Sequence, residues 1–113
     1  MDFDNSKPIY IQIYDSVCER ILSGDLKPDE RILSVREYGA SVGVNPNTVM
    51  RTYEKLTADK IIYNKRGIGY FISPEAEKIV LENEKRKFLE EELPAFLKRA
   101  GLLGVELSEI IKK

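Results

Sequence analysis

At 113 residues and 13.0 kDa the chain is the size of one ordinary domain of ~100–150 residues, or of one small domain with an extension, which excludes a two-domain enzyme. Its 42% hydrophobic and 33% charged residues are the mix of a folded, soluble protein, and with no His, no Trp and one Cys it lacks the parts of a zinc cluster, a catalytic triad or a disulfide framework. The net charge of −1 hides a polarised chain, −4 over residues 1–30, +4 over 31–66 and −1 over 67–113, and a basic middle third draws a protein to phosphates whatever its total.

The amino end, Met1-Asp2-Phe3-Asp4-Asn5-Ser6, carries neither a basic stretch nor an apolar run, and no apolar segment approaches the ~20 residues of a membrane span. A cytoplasmic protein with no membrane partner is expected. From Ile9 two apolar rows step by four, Ile9, Ile13, Val17, Ile21 and Tyr10, Tyr14, Cys18, Leu22, which predicts an amphipathic helix started near Pro8 and ended by Gly24. Cys18 is thereby a core residue. Residues 25–30 read as a loop and Arg31-Ile32-Leu33 as a short strand. Ser34-Val35-Arg36-Glu37 is a capping box, opening a short helix in which Val35, Tyr38 and Val42 share a face and Gly43 allows a tight exit. Asn45-Pro46-Asn47-Thr48 starts another helix at once, with Asn45 as N-cap and Pro46 at the first helical position. On this third helix Val49, Tyr53 and Leu56 form the apolar side, and Arg51 points away from Val49, flanked by Asn47, Glu54 and Lys55.

Ile61-Ile62-Tyr63 and Tyr70-Phe71-Ile72 are β-prone runs around Asn64-Lys65-Arg66-Gly67-Ile68-Gly69, a predicted hairpin with a basic, glycine-bearing tip. Ser73-Pro74-Glu75 opens a charged helical stretch to about Glu92, punctuated afterwards by Pro94 and Gly101. Its apolar residues, among them Phe88, Leu89, Phe96, Leu97, Leu102 and Ile110, are too many for a solvated tail and require a partner surface.

Helix, short helix, tight turn, helix, hairpin is the order of a winged helix-turn-helix. In that arrangement the last helix of the pair fits a DNA major groove and the basic hairpin reaches neighbouring phosphates or the minor groove. The fold class expected is mainly α with a small β-hairpin: a winged helix-turn-helix DNA-binding domain at 1–73 and a short C-terminal helical dimerisation region at 74–113. Forty residues beyond Ser73 are too few to enclose a sizeable ligand cavity, so dimerisation on a palindromic double-stranded operator is their expected job.

The run Ile9 to Ile72 resembles the GntR family of bacterial transcription regulators. Leu33-Ser34-Val35-Arg36-Glu37, the segment from Gly43 to Leu56 and Arg66-Gly67-Ile68-Gly69-Tyr70-Phe71-Ile72 carry the likeness, and Asn45-Pro46-Asn47-Thr48-Val49 with Arg51 and Tyr53 is similar to the YtrA subfamily. The resemblance implies that Arg36 contacts DNA, that Asn47 and Thr48 open the recognition helix and that Arg66 with Gly67 forms the wing tip. It further implies repression of transporter-type operons. With the residues read from position, the expected DNA-binding set is Arg36, Asn45, Asn47, Thr48, Arg51, Lys65, Arg66 and Gly67. Two departures from the family pattern are Pro46 and Met50, where many members carry arginine, with Arg51 one step further round the helix.

Two other classes compete. A winged helix can serve as a protein-interaction module, its arginines meeting an acidic partner. An enzyme would have to use Glu90-Glu91-Glu92, but consecutive helical positions fan carboxylates apart. No catalytic residue, metal ligand or cofactor is expected.

Overall fold

The structure is a computed structural model that describes residues 1–111; Lys112 and Lys113, the end of the expected 74–113 region, lie outside the described residues. The apolar rows of the amino-terminal segment form α1 (Ile9–Leu22), which buries Ile13, Val17, Cys18 and Ile21 and leaves Ile9 and Leu22 exposed. Gly24, at φ +82°, follows its end in the left-handed backbone that favours glycine.

α2 (Val35–Val42) starts as its capping box requires: Ser34 Oγ accepts the Glu37 amide at 3.1 Å, and the Glu37 carboxylate accepts the Ser34 amide at 3.0 Å. The Ser34 amide, and beside it the Ser34 hydroxyl, hold the Glu37 carboxyl below its ordinary pKa. Gly43 ends α2 at φ +69°, and α3 (Pro46–Ala58) begins after Val44 and Asn45, with Asn45 Oδ1 accepting the Asn47 amide at 2.8 Å. So sharp a turn needs α2 to come close, and Gly39 permits it: a Cβ there would lie 2.7 Å from the Val44 carbonyl oxygen.

β1 (Ile62–Lys65) and β2 (Gly69–Ile72) pair antiparallel with Ile62 opposite Ile72 and Lys65 opposite Gly69. The strand expected at Arg31-Ile32-Leu33 is reduced to one bridge, Arg31 opposite Phe71. Its length is limited from both sides, by the turn at Asp29 (φ +60°) and by Ser34, which already caps α2. Backbone bonds still run the segment along β2, from the Asp29 amide to the Ile72 oxygen (2.8 Å) and from the Ile32 amide to the Tyr70 oxygen (3.0 Å).

One core joins these pieces. Ile13, Val17 and Ile21 of α1 meet Val49, Tyr53 and Leu56 of α3 and the hairpin residues Ile62 and Ile72, closed by Ala76 and Val80 of α4 (Ala76–Lys87). Each such aliphatic side chain contributes roughly 1.5–3 kcal/mol by leaving water. Because Ala76 and Val80 belong to this core, the first compact unit runs from Met1 to Leu81, past the 73/74 boundary expected from the sequence.

The second unit, Glu82 to the carboxyl end, holds the rest of α4, a π-helical turn (Phe88–Glu92), α5 (Leu93–Leu102) and α6 (Leu107–Ile110). Pro94 does not break the helix as the sequence suggested. Its ring excludes the regular bond to the carbonyl four residues back, and the chain widens by one residue there, with the Leu93 amide donating to Phe88 O. Gly101 lies inside α5, and Gly104, at φ +68°, follows the end of α5.

Gly39 supplies a test with an unusual sign. Alanine favours a helix over glycine by about 1 kcal/mol, yet Gly39→Ala should destabilise the protein by about 1–3 kcal/mol, because the new methyl meets the backbone of the turn. Urea unfolding of both proteins checks it; a variant as stable as the parent would mean that α2 and α3 are not this close.

Candidate nucleic-acid interface

The expected DNA-binding residues all lie in the first unit, on three elements. Arg36 stands exposed in the first turn of α2, next to the capping box that starts the helix. Asn45, Asn47, Thr48 and Arg51 lie on the amino-terminal half of α3 or its cap. Lys65, Arg66 and Gly67 are at the hairpin tip.

The face that α3 leaves open follows from its packing. Val49, Thr52, Tyr53 and Leu56 are buried, which at 100° per residue places Asn47, Arg51 and Glu54 opposite them. α1 covers one flank of that face. The Thr52 hydroxyl, fully buried, donates to Tyr10 O at 2.8 Å, and Lys55 packs on the Tyr14 ring with its ammonium 4.7 Å from the centroid. Tyr14 Oη donates to Asp59 at 2.6 Å, and Lys55 pairs with the same carboxylate at 3.3 Å. Burial and this bond push the Tyr14 hydroxyl pKa well above its ordinary value, so it stays a donor. Lys55, expected on the exposed side beside Arg51, is therefore half-buried and committed to α1.

Arg51 is exposed but not loose. Its guanidinium lies over the Tyr10 ring, 3.9 Å from the centroid. Stacking uses the flat face of the guanidinium and leaves its N–H edge available, the geometry that bidentate recognition needs. Tyr10 escaped notice in the sequence, where it reads as one member of an apolar helical row. Asn47 and Met50 are exposed, Thr48 is half-buried, and Asn45 uses its side-chain oxygen as the cap.

At the hairpin, Tyr63 and Phe71 stack 5.6 Å apart and the Lys65 ammonium sits 5.0 Å from the Phe71 centroid, so Lys65 is partly drawn onto the wing while Arg66 at the turn is exposed. The Ile68 amide donates to Lys65 O at 2.9 Å, closing the turn, and Gly67 holds φ +80° within it. Gly69 takes φ +144°, and a Cβ on it would lie 3.0 Å from Arg31 Nε. Both glycines thus have a backbone role. Ile68 between them is 59% exposed and packs into no core. Among the described residues no cluster of His, Cys, Asp and Glu could hold a metal ion, and no helix is long and apolar enough to cross a membrane.

The family described as bacterial regulatory proteins, gntR family, matches residues 9–72. The HTH-type transcriptional regulator YhcF of Bacillus subtilis is 37% identical over 97% of this chain and 89% of its own length, and the HTH-type transcriptional repressor YtrA of the same organism is 36% identical over 97% and 84%. Among solved structures, a GntR family transcriptional regulator from Listeria monocytogenes superimposes with a TM-score of 0.78 at 32% identity, covering 96% of this chain and 93% of that one.

The turn geometry predicts an order of effects at Gly67. Valine cannot take φ +80° without strain, so Gly67→Val should lower stability by about 1–2 kcal/mol, while Gly67→Asn, which tolerates that backbone, should cost less than about 0.5 kcal/mol. Thermal unfolding of the pair measures this. Equal melting temperatures for the two variants would show that the turn does not impose the left-handed conformation.

Proposed function

The chain belongs to the GntR family of bacterial DNA-binding transcription regulators, within it to the YtrA-like subfamily, and on that basis we propose that it is a cytoplasmic homodimeric repressor of a transporter-type operon, binding a palindromic operator. The observation that supports it most is the division of α3. One side is spent on the core through Val49, Tyr53 and Leu56, and the other presents Asn47, Met50, Arg51 and Glu54 to the outside. A helix with that polar outer face can enter a major groove with its amino-terminal half at the base edges.

Each element then has a role. Arg51, braced on Tyr10, offers its N–H edge to a base, as an arginine does to guanine O6 and N7. Arg36 meets a phosphate beside the α2 amino end, and Asn45, Asn47 and Thr48 secure the approach of α3. Lys65 and Arg66 reach the adjacent backbone, and Gly67 keeps the turn that carries them, with exposed Ile68 lining a groove. The name of the 36% identical relative supports repression, and the subfamily resemblance supports a transporter operon.

A single winged helix reads one half-site, so a palindrome calls for a two-fold pair. The 74–113 region is proposed to supply it. Beyond Leu81 no residue of the π-turn, α5 or α6 is buried, and Phe88, Leu89, Phe96, Leu102 and Leu103 are each about half exposed or more. Such a run of apolar surface is what an obligate pair covers.

Binding titrations test the residue roles. Arg51→Ala should cost about 1–3 kcal/mol and relax preference at one base pair, whereas Arg36→Ala and Arg66→Ala should weaken all sequences alike and flatten the salt slope by about one unit. Tyr10→Leu should cost less than Arg51→Ala and add little to it, since the ring acts through the guanidinium. Wild-type affinity in Arg36→Ala, Arg51→Ala and Arg66→Ala alike would reject this orientation. For the dimer, sedimentation of the full chain should show a pair and that of a chain ending at Leu81, which keeps the whole first core, a monomer; a truncated chain that still pairs would place the interface elsewhere.

A further inference from the structure

Between the carboxyl half of α1, the Glu30-to-Leu33 segment and the inner sides of α2 and α3 lies a cavity of about 350 Å³. Its floor is apolar and aromatic: Val17, Leu26, Tyr38 and Tyr53, all buried. That is the small end of the ~300–1,000 Å³ range of ligand sites, whose usual lining is an apolar surface with a few well-placed polar groups. None of the residues assigned to DNA lines it.

The rim supplies the polar groups, and their commitments differ. Glu30 accepts the Lys27 amide at 3.0 Å through one oxygen. Arg20 donates its Nε to Asp25 at 2.9 Å, which leaves both terminal amino groups unspent by that pair. The charge of Arg20 is felt at the floor, where it partly offsets the rise that burial imposes on the Tyr38 and Tyr53 hydroxyls. Arg31 forms no ion pair among the described residues, and the carboxylate it influences, Glu37, is occupied by Ser34. Arg20 and Arg31 both line the cavity, one of them without an ion-pair partner among the described residues, and they outnumber the Glu30 carboxylate on the same rim, which suits a ligand with one anionic end and a hydrophobic body.

We propose that this cavity is an effector site for a small amphipathic carboxylate, an aryl or branched alkyl acid of about ten non-hydrogen atoms, its carboxylate at Arg20 and Arg31 and its body on the tyrosine floor. The occupant touches Tyr38 of α2 and Tyr53 of α3 as well as Arg31, which is bridged to Phe71 of the wing. It therefore contacts α2 and α3 directly and the wing through Arg31, and any difference in its fit between the free and DNA-bound arrangements becomes a change in operator affinity, with the reciprocal change in its own. This regulatory half rests on the DNA-binding reading above; the site itself does not.

The experiment uses the full chain, with 3-phenylpropionate as probe and 3-phenylpropanamide as its uncharged counterpart. Amide ¹H–¹⁵N shifts report the site, and anisotropy of a duplex selected from random sequences reports the operator. The acid should shift Ile32, Leu33 and Tyr38 saturably, the amide should bind about tenfold more weakly or worse, and Arg31→Gln should bring the acid down to the level of the amide with an unchanged melting temperature. Acid at a concentration that fills most of the parent's sites but few of those of Arg31→Gln should change operator affinity about five-fold or more in the parent and little in the variant. The site is overturned if shifts do not saturate by about 20 mM, if acid and amide bind alike, or if Arg31→Gln binds as the parent does. Unaltered operator affinity at saturation overturns the effector role. If no duplex is selected at all, the DNA-binding reading has failed, and the shift titration still decides the site.

Discussion

Tyr53 reaches from the inner side of α3 to the carbonyl oxygen of Leu33, 2.6 Å away, with its ring edge-on to Tyr38 at 6.3 Å and to Tyr70 at 4.9 Å. The side chain is 1% exposed, and a buried hydroxyl without a partner would cost about 1–3 kcal/mol, so the segment before α2 is obliged to come alongside α3. Once it does, the same segment pairs with β2 through Arg31 and Phe71, and the hairpin is held to the helix pair. Burial keeps this hydroxyl protonated far into the alkaline range, so the bond survives any ordinary pH. Tyr53 thus ties α3, the segment that leads into α2 and the wing to one another.

A second constraint acts from α1. Thr52 is fully buried on α3 and bonds the Tyr10 carbonyl, which fixes how far α3 can roll about its own axis. That roll decides which residues α3 shows. Tyr10 and Tyr14 then close one flank, engaging Arg51 and Lys55, and leave Asn47, Met50 and Glu54 toward the open side. On the far side Gly39 lets α2 approach to the distance of a missing methyl group. In the proposed base-reading role these buttresses matter as much as the exposed side chains, because a base contact tolerates only small errors in position.

The second unit obeys a different economy. Its helices are apolar along much of their length and yet bury nothing by themselves, so their stability in water depends on what covers them. The π-helical turn lets the helical path pass Pro94 without a break, which keeps Phe88, Leu89 and Phe96 on continuous helical surface.

Local signals were enough for much of the first unit. The Ser34–Glu37 capping box, the Asn45-Pro46 start, Gly43 at the exit of α2 and the Lys65–Gly69 tip are short-range devices in which a side chain satisfies backbone a few residues away, so α1, α2, α3 and the hairpin were legible from residue order. The family motif rides on the same elements, and with it the candidate residues Arg36, Asn47, Arg51 and Arg66. Contacts between residues distant along the chain were not legible. Nothing in the chain order says that Tyr10 lies beneath Arg51, that Thr52 bonds α1, that Arg31 sits against Gly69, or that Ala76 and Val80 complete a core begun at Ile13. Nor does it say that Pro94 widens a helix instead of ending one, since that outcome depends on which backbone bonds the surrounding turns can still make. Capping, periodicity and turn chemistry are written locally, whereas side-chain partners across the fold are chosen only when the elements pack.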